Sequence, residues 1–193
     1  MSQHPVMSPV QHLRELSETA LRAAEQLAGQ IEQVTAMVRA TLAAGGTLYF
    51  AGNGGSAADA QHIATEYTIR YLRTRRALRA VALTTDTSAL TAAGNDFSFD
   101  DIFSRQVEAL GRAGDLLFVH TTSGNSPNCL RAIEVAKGLG LKTVALTAKY
   151  GGKVRGMADV TIIVPTTRTD RAQELHLAIQ HAICDAVDAE VTP

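Results

Sequence analysis

Five short runs rich in apolar and β-branched residues alternate with helical segments, and this alternation restricts the fold more than any other feature. Nearly continuous apolar strands separated by helices are typical of a parallel sheet covered on both faces. The runs occupy residues 47–51, 80–83, 115–120, 142–147 and 160–164. The segments between and after them predict helices over 56–71, around 98–110, over 127–138, near 152–157 and over about 170–191.

The N-terminal part of the chain predicts a long helix. Apolar residues recur at helical spacing from Leu13 to Leu42, which indicates either one helix over about 9–44 or two helices that break at Gly29. A helix of this length with an apolar face needs a covering surface, so we expect it to contact another subunit as well as the core. Residues 1–8 read as a tail and 45–193 as an α/β core, all within one domain of 1–193.

Composition limits the partners and the location. The chain has 193 residues with 18 basic and 19 acidic side chains, which argues against a broad nucleic-acid surface. No apolar run approaches the roughly 18 residues of a membrane span, and the N-terminus lacks the pattern of a signal peptide. We therefore expect a cytoplasmic protein with no membrane or nucleic-acid partner. Cys129 and Cys184 stand alone in helical patterns and are expected to be buried, reduced thiols.

A glycine-rich turn follows the first predicted strand. Gly52, Asn53, Gly54 and Gly55 lead into a helix at Ser56, which we predict to be its N-cap. Such a turn offers backbone N–H groups and a helix N-terminus to an anion, usually a phosphate. One turn further on, His62 and Glu66 stand at positions i and i+4 and so share one face of the helix. The stretch predicts a phosphate site beside an acid–base or metal-binding pair.

Two more polar stretches suit a phosphorylated sugar. The loop after the third run contains four hydroxyl side chains, and Pro127 is expected at the first position of the next helix. These hydroxyls belong to Thr121, Thr122, Ser123 and Ser126. The loop 84–88 and the turn 94–97, which includes Asn95 and Asp96, supply polar groups for sugar hydroxyls. No nucleotide-binding glycine motif or P-loop is present, so a sugar phosphate is favoured over a nucleotide.

The last predicted helix is unusually polar for a half-buried element. Gln173 and His181 are eight residues apart, and Glu174 and His181, seven apart, align better on a helical wheel. Both pairings stay open on spacing alone, because long side chains from two turns can converge. His4 and His12 are read as structural.

Four motifs in the same order resemble those of the phosphoheptose isomerases, which belong to the sugar-isomerase (SIS) domain family. The motifs are Gly-Asn-Gly-Gly-Ser-Ala-Ala-Asp-Ala-Gln-His at 52–62, Gly-Asn-Asp-Phe at 94–97, Thr-Ser-Gly-Asn-Ser at 122–126, and Gln-Glu-Leu-His at 173–176 followed by His181. The resemblance covers about residues 40–190. It implies a three-layer α/β/α sandwich with a five-stranded parallel sheet, and a homotetramer with active sites between subunits.

The resemblance also implies roles for individual residues. Glu66 and His181 would move a proton between C1 and C2 of sedoheptulose 7-phosphate, which gives D-glycero-D-manno-heptose 7-phosphate for ADP- or GDP-heptose synthesis and for glycans such as lipopolysaccharide. One zinc ion per subunit is implied at His62, Glu66, Gln173 and His181. The implied substrate contacts are Asn53, Gly54, Gly55, Ser56, Asn95, Asp96, Thr121, Thr122, Ser123, Ser126 and Gln173. Asp170 and Arg70 are candidates for a supporting or acid–base role in this proton transfer.

The chain departs from the commoner family pattern at three positions. Thr121 replaces a serine and keeps its hydroxyl, His120 replaces an apolar residue at a strand end, and Thr65 replaces an acidic residue. We interpret His120 as a substitution at the edge of the core.

Three other functions are alternatives to the isomerase. A non-enzymatic adaptor of the same fold, which associates with the replication initiator, lacks the residues that match Glu66 and His181, and both are present here. A sugar-phosphate sensor would need an appended regulatory domain. An isomerase acting on another sugar phosphate stays open, because a phosphate loop does not measure the length of the sugar.

Overall fold

The computed structural model describes residues 6–191 and contains a five-stranded sheet flanked by helices. The helices are α1 (Pro9–Ala43), α2 (Gly55–Thr68), α3 (Thr87–Asp96), α4 (Ser104–Leu110), α5 (Pro127–Gly138) and α6 (Thr169–Asp188). The strands are β1 (Leu48–Gly52), β2 (Ala80–Ala82), β3 (Leu116–His120), β4 (Lys142–Thr147) and β5 (Val160–Ile163). Short 3-10 turns occupy Phe99–Asp101 and Lys153–Gly156.

All four strand pairings are parallel, in the order β2-β1-β3-β4-β5. The chain leaves β1 for β2 on one side and returns to β3 on the other, so the sheet order reverses between β1 and β3. Open α/β sheets bind ligands at the carboxyl ends of the strands at such a point. The Asn53 and Thr121 turns follow β1 and β3, so the topology brings both predicted phosphate loops to one edge of the sheet.

Successive strand residues point to opposite faces and build two cores. Phe50 and Phe118 stack with ring centroids 5.0 Å apart in the core that α1, α2 and α6 cover. Tyr49 and Leu117 belong to the second core, which α4 and α5 cover. The predicted three-layer α/β/α sandwich with five parallel strands is confirmed.

The N-terminal helix is one continuous element. Ser8 caps it through a reciprocal capping box with Gln11, and Pro9 occupies its first position. Gly29 does not break it, because intrahelical hydrogen bonds and the buried side chains of Leu27 and Val34 continue on both sides. His4 lies outside the described residues, and the assignment of 1–193 to one domain stays a prediction.

The largest local difference from the sequence-based prediction is α3. The stretches 84–88 and 94–97 were expected to be loops, yet Asp86 caps a helix that includes Asn95 and Asp96 in its last turn. Threonine, serine, glycine and asparagine are weak helix formers, and Ala93 is the one buried residue of this helix, so its sequence shows no apolar face. The prediction that Asn95 and Asp96 lie in a turn was therefore wrong.

The predicted helix around 98–110 is divided into the 3-10 turn Phe99–Asp101 and α4, and the other expectations about local structure agree closely. The strand bounds differ from the predicted runs by at most one residue at either end. Cys129 and Cys184 are buried and free, and burial raises the pKa of each thiol to about 12. Within the part of the chain that the structure describes, no helix has both the length and the apolar character that crossing a bilayer requires.

Candidate active site

The glycine-rich turn after β1 starts α2 without a side-chain cap. Gly54 adopts φ +58° and is the N-cap residue, and α2 begins at Gly55. Ser56 is therefore not the N-cap that the sequence predicted. It is the second residue of the helix and is buried, because the positive φ of Gly54 turns the chain two residues earlier.

The two predicted phosphate loops are joined by a pair of amides. Asn53 Nδ2 donates to Asn128 Oδ1 and Asn128 Nδ2 donates to Asn53 Oδ1, both at 2.9 Å. Asn128 is buried at the start of α5, directly after the helix-starting Pro127 that the sequence predicted. Asn128 was not predicted as a site residue, although its place directly after a hydroxyl-rich loop made it a candidate.

The loop after β3 is held from within and from a neighbouring turn. The hydroxyl groups of Thr121 and Ser126 are 3.1 Å apart, and Gly124 N–H donates to the Thr121 carbonyl. Gly124 has φ +66°, and a Cβ at this position would lie 1.9 Å from the Gly151 carbonyl oxygen. Close backbone packing of this kind requires glycine. Thr122 and Ser123 are half-buried on the same loop.

Three side chains that could hold a metal ion or transfer a proton meet between α2 and α6. His62 and Glu66 on α2 and His181 on α6 each present one ligand atom, all within 4.8 Å of one another. His62 Nε2 lies 2.8 Å from His181 Nε2 and 3.4 Å from Glu66 Oε1. The predicted i, i+4 relation of His62 and Glu66 is confirmed, and the long-range partner is His181.

Gln173 reaches the glycine turn rather than the protein surface. A Cβ built on Gly55 would lie 2.7 Å from both Nε2 and Oε1 of Gln173, so the absence of a side chain at Gly55 makes room for this amide. Glu174, the alternative on the helical wheel, forms a close ion pair with Arg171 instead. The structure therefore places Gln173, not Glu174, on the site side of α6.

Burial lowers the pKa of His181, and nearby His62 lowers it further, while Glu66 acts in the opposite direction. The ring of Tyr71 stacks on His181 with centroids 5.4 Å apart and planes 20° from parallel. Asp59, three residues before His62, is half-buried, and this burial raises its pKa to about 6. Neither Tyr71 nor Asp59 was predicted from the sequence to have a role in the site.

Other predicted residues lie apart from this cluster. Asn95 and Asp96 are exposed, and their side chains bond to each other at 2.8 Å. Asp170 accepts a hydrogen bond from Arg168, which lowers the pKa of its carboxyl group, and it also lies 3.5 Å from His12 Nε2 of α1. Arg70 is exposed just beyond the end of α2.

His120 is completely buried at the end of β3. Its Nε2 lies 3.1 Å from Gln180 Nε2, and its ring centroid is 6.1 Å from that of His176. Burial, with a smaller contribution from His176, lowers the pKa of His120 to about 3. Its interpretation as a residue at the edge of the core agrees with this position.

Comparisons with known proteins identify the family of the chain. The SIS domain model matches residues 11–148. A phosphoheptose isomerase of Paramagnetospirillum magneticum is 57% identical over 153 residues, which are 79% of this chain and 80% of that protein. A phosphoheptose isomerase of Aliarcobacter butzleri is 47% identical over 175 residues, which are 91% of this chain and 93% of that protein.

A solved structure gives the same result. The phosphoheptose isomerase of Neisseria gonorrhoeae superposes with a TM-score of 0.87 at 44% identity, over 93% of this chain and 96% of that one. Sequence and fold thus agree over most of the chain. The chain belongs to the SIS domain family and, within it, to the phosphoheptose isomerases.

Proposed function

We propose that this protein is an aldose–ketose isomerase that converts sedoheptulose 7-phosphate into D-glycero-D-manno-heptose 7-phosphate. The observation that carries the proposal is the convergence of His62, Glu66 and His181 from two helices, one of which begins at the turn that holds Gly55. The shared name of the relatives, phosphoheptose isomerase, supports the same reaction. We assign this reaction to the first step in the synthesis of a heptose precursor.

The two loops at the carboxyl ends of β1 and β3 suit the phosphate end of the substrate. They offer hydroxyl groups and a helix start with no side-chain cap, and they are cross-linked by the Asn53–Asn128 amide pair. We assign phosphate and sugar binding to Asn53, Gly54, Gly55, Ser56, Thr121, Thr122, Ser123, Ser126 and Gln173. Asn95 and Asp96 are proposed as contacts to the sugar hydroxyls.

Isomerisation needs two groups, placed at the same two carbons, that together exchange protons with C1, C2 and the oxygens they carry. One group removes the C1 proton of the ketose, the C1–C2 double bond forms, and the former carbonyl oxygen at C2 takes up a proton. The hydroxyl proton at O1 then leaves, the aldehyde forms at C1, and a proton returns to C2. Glu66 and His181 are proposed as the base and the acid, since they approach one point from different helices.

The donor set of the cluster fits a zinc ion. Two imidazoles and a carboxylate are ordinary zinc ligands, and tetrahedral zinc at its usual bond lengths places ligand atoms about 3.4 Å from one another. His62 Nε2 lies 3.4 Å from Glu66 Oε1 and 2.8 Å from His181 Nε2, and the three ligand atoms all lie within 4.8 Å of one another. His62, Glu66 and His181 would hold the ion, with Gln173 as the proposed fourth ligand. When bound, zinc would polarise the substrate carbonyl.

We also propose a homotetramer with active sites between subunits. Exposed apolar side chains on α1 and just beyond α2 support this assembly, because such groups are normally covered. They include Val10, Leu13, Leu21, Ile69 and Leu72, each more than half exposed. The cytoplasmic location stays a prediction from the sequence.

The reaction can be tested directly with sedoheptulose 7-phosphate. We expect the purified protein to form the aldose product at least about ten times faster than it isomerises fructose 6-phosphate. A chelator should lower the rate about ten-fold and added zinc should restore it. Comparable rates on both sugars would instead indicate another isomerase specificity. No product with or without zinc would favour the non-enzymatic adaptor.

The contact between Gly55 and Gln173 gives a second test. In Gly55→Ala the new methyl group must displace the Gln173 amide, whose long side chain can move, so the fold should persist. We expect KM for sedoheptulose 7-phosphate to rise about ten-fold, the effect of losing about one charge-assisted hydrogen bond. Gly29→Ala is the matched control, because nothing lies within 4 Å of a Cβ at that position. An unchanged KM in Gly55→Ala would contradict the binding role of Gln173.

A further inference from the structure

A buried arginine closes the C-terminal end of the helix that carries Glu66. After α2 ends, the chain runs through residues 69–79 to β2, and Arg75 reaches back from this segment. Its Nη2 donates to the Glu66 carbonyl at 2.7 Å, and its Nη1 donates to the Tyr67 carbonyl at 2.9 Å. These carbonyls belong to the last turn of α2, where no intrahelical donor is available and the helix dipole favours a cation.

The partner of this guanidinium is the last residue of α6. Arg75 Nε donates to Asp188 Oδ1 at 2.7 Å, and Arg73 N–H donates to Asp188 Oδ2 at 2.8 Å. The side chains of Arg75 and Asp188 are both 0% exposed. The Arg75–Asp188 clamp therefore fastens the end of α2 to the end of α6 through a pair of charges that water does not reach.

The two helices that the clamp joins are the two that supply the cluster. Arg75 touches the backbone of Glu66 itself, and Asp188 lies seven residues, about 10 Å along the helix, after His181. Tyr71, which stacks on His181, lies on the same segment as Arg75. The clamp therefore joins the two helices that hold Glu66, His62 and His181, whereas the loops after β1 and β3 are held by their own contacts.

We propose that Arg75 and Asp188 are positioning residues that set the separation of the α2 and α6 side chains in the active site. This inference rests on the proposed function for its activity measurement, whereas its zinc measurement does not need the reaction. Arginine is required because one planar fork must reach two carbonyls and a carboxylate together. A lysine ammonium would satisfy the charge but could not make the same set of contacts.

A variant in which apolar residues replace both charges of the clamp distinguishes a positioning role from a purely stabilising one. Removing one member of a buried pair leaves the other charge unpaired, whereas replacing both with apolar residues often preserves folding. The double variant Arg75→Met/Asp188→Leu should therefore fold, yet it leaves the Glu66 and Tyr67 carbonyls without the guanidinium. We expect kcat to fall and the zinc dissociation constant to rise, each about ten-fold or more, with KM within two-fold of the wild type.

Arg75→Lys and Asp188→Asn form the second arm, since they keep the size of the site. In both variants we expect kcat to fall while KM stays within two-fold of the wild type. The zinc dissociation constant, measured by competition with a chromophoric chelator, should rise as in the double variant. Asp185→Asn is the matched control, because it removes an exposed ion pair between α6 and Arg73 and leaves every contact of Arg75 and Asp188 in place. It should leave all three quantities unchanged.

Variants that unfold at lower temperature but keep wild-type kcat and zinc affinity would overturn the proposal and leave the clamp a purely structural feature. If the double variant does not fold, the same decision rests on Asp188→Asn and Arg75→Lys. If the wild-type protein does not turn over sedoheptulose 7-phosphate, the proposed function fails. The zinc affinities of the variants still decide the role of the clamp in that case.

Discussion

Glu66→Gln is expected to lower kcat on sedoheptulose 7-phosphate about 10³-fold, within the range that one acid–base group contributes. Glutamine keeps the size of the side chain but cannot accept or return a proton at catalytic pH. Glu66 is only one-fifth exposed and approaches the same point as His62 and His181, so no other carboxylate in the cluster replaces it. Steady-state kinetics with direct detection of the heptose product measures the loss.

His181→Gln should cause a loss of similar size, because His181 is the group that α6 contributes to the cluster. Both variants should keep the far-ultraviolet circular dichroism of the wild type and, in light scattering, the same mass as the wild type. Glu174→Gln is the matched control: Glu174 lies one residue from Gln173 but pairs with Arg171, so its kcat should stay within two-fold. Wild-type activity in Glu66→Gln or in His181→Gln would refute the assigned roles.

Much of the site was predictable because its chemistry is local in sequence. The glycine turn, the hydroxyl loop and the pair His62 and Glu66 each fall within one turn or one helix, where spacing determines geometry. The apolar strands fixed the sheet in the same way, since a buried parallel strand needs an almost continuous apolar run. The resemblance to a family then selected Gln173 and His181.

The contacts that spacing could not predict are those between distant segments. On a wheel Glu174 aligned better with His181, but packing decides which side of α6 faces α2, and Arg171 binds Glu174 away from the site. The Arg75–Asp188 clamp joins residues 113 positions apart, and neither residue is distinctive in its own stretch of sequence. Helix α3 was missed because it has hardly any buried face from which a period could be read.

The buried histidines His120 and His176 are expected to make the fold sensitive to acid. Both are completely buried. Desolvation lowers the pKa of His120 to about 3 and that of His176 to about 4, although the bond to the Thr147 carbonyl acts in the opposite direction on His176. In the unfolded chain each has a pKa of about 6.5. Between these values the unfolded state binds more protons, so stability is full above pH 6.5 and falls as the pH decreases.

From pH 7 to pH 5 the two histidines together should remove about 4 kcal/mol from the free energy of unfolding. Asp59 acts in the opposite direction, because its raised pKa of about 6 lets the folded state gain a proton over the same interval. We therefore expect a net loss of about 3 kcal/mol. Urea unfolding at fixed protein concentration across this pH range measures it.

A pair of variants isolates the contribution of His120 from that of Asp59 and from metal release. His120→Leu/Gln180→Leu removes both partners of the buried contact, so no polar group is left unpaired there, and its loss between pH 7 and pH 5 should be about 2 kcal/mol smaller than in the wild type. Gln180→Leu alone changes the same contact without removing a titratable group and should keep the wild-type pH dependence. An equal pH dependence in the double variant and the wild type would mean that His120 takes up protons equally in both states, contrary to its burial beneath the Thr121 loop.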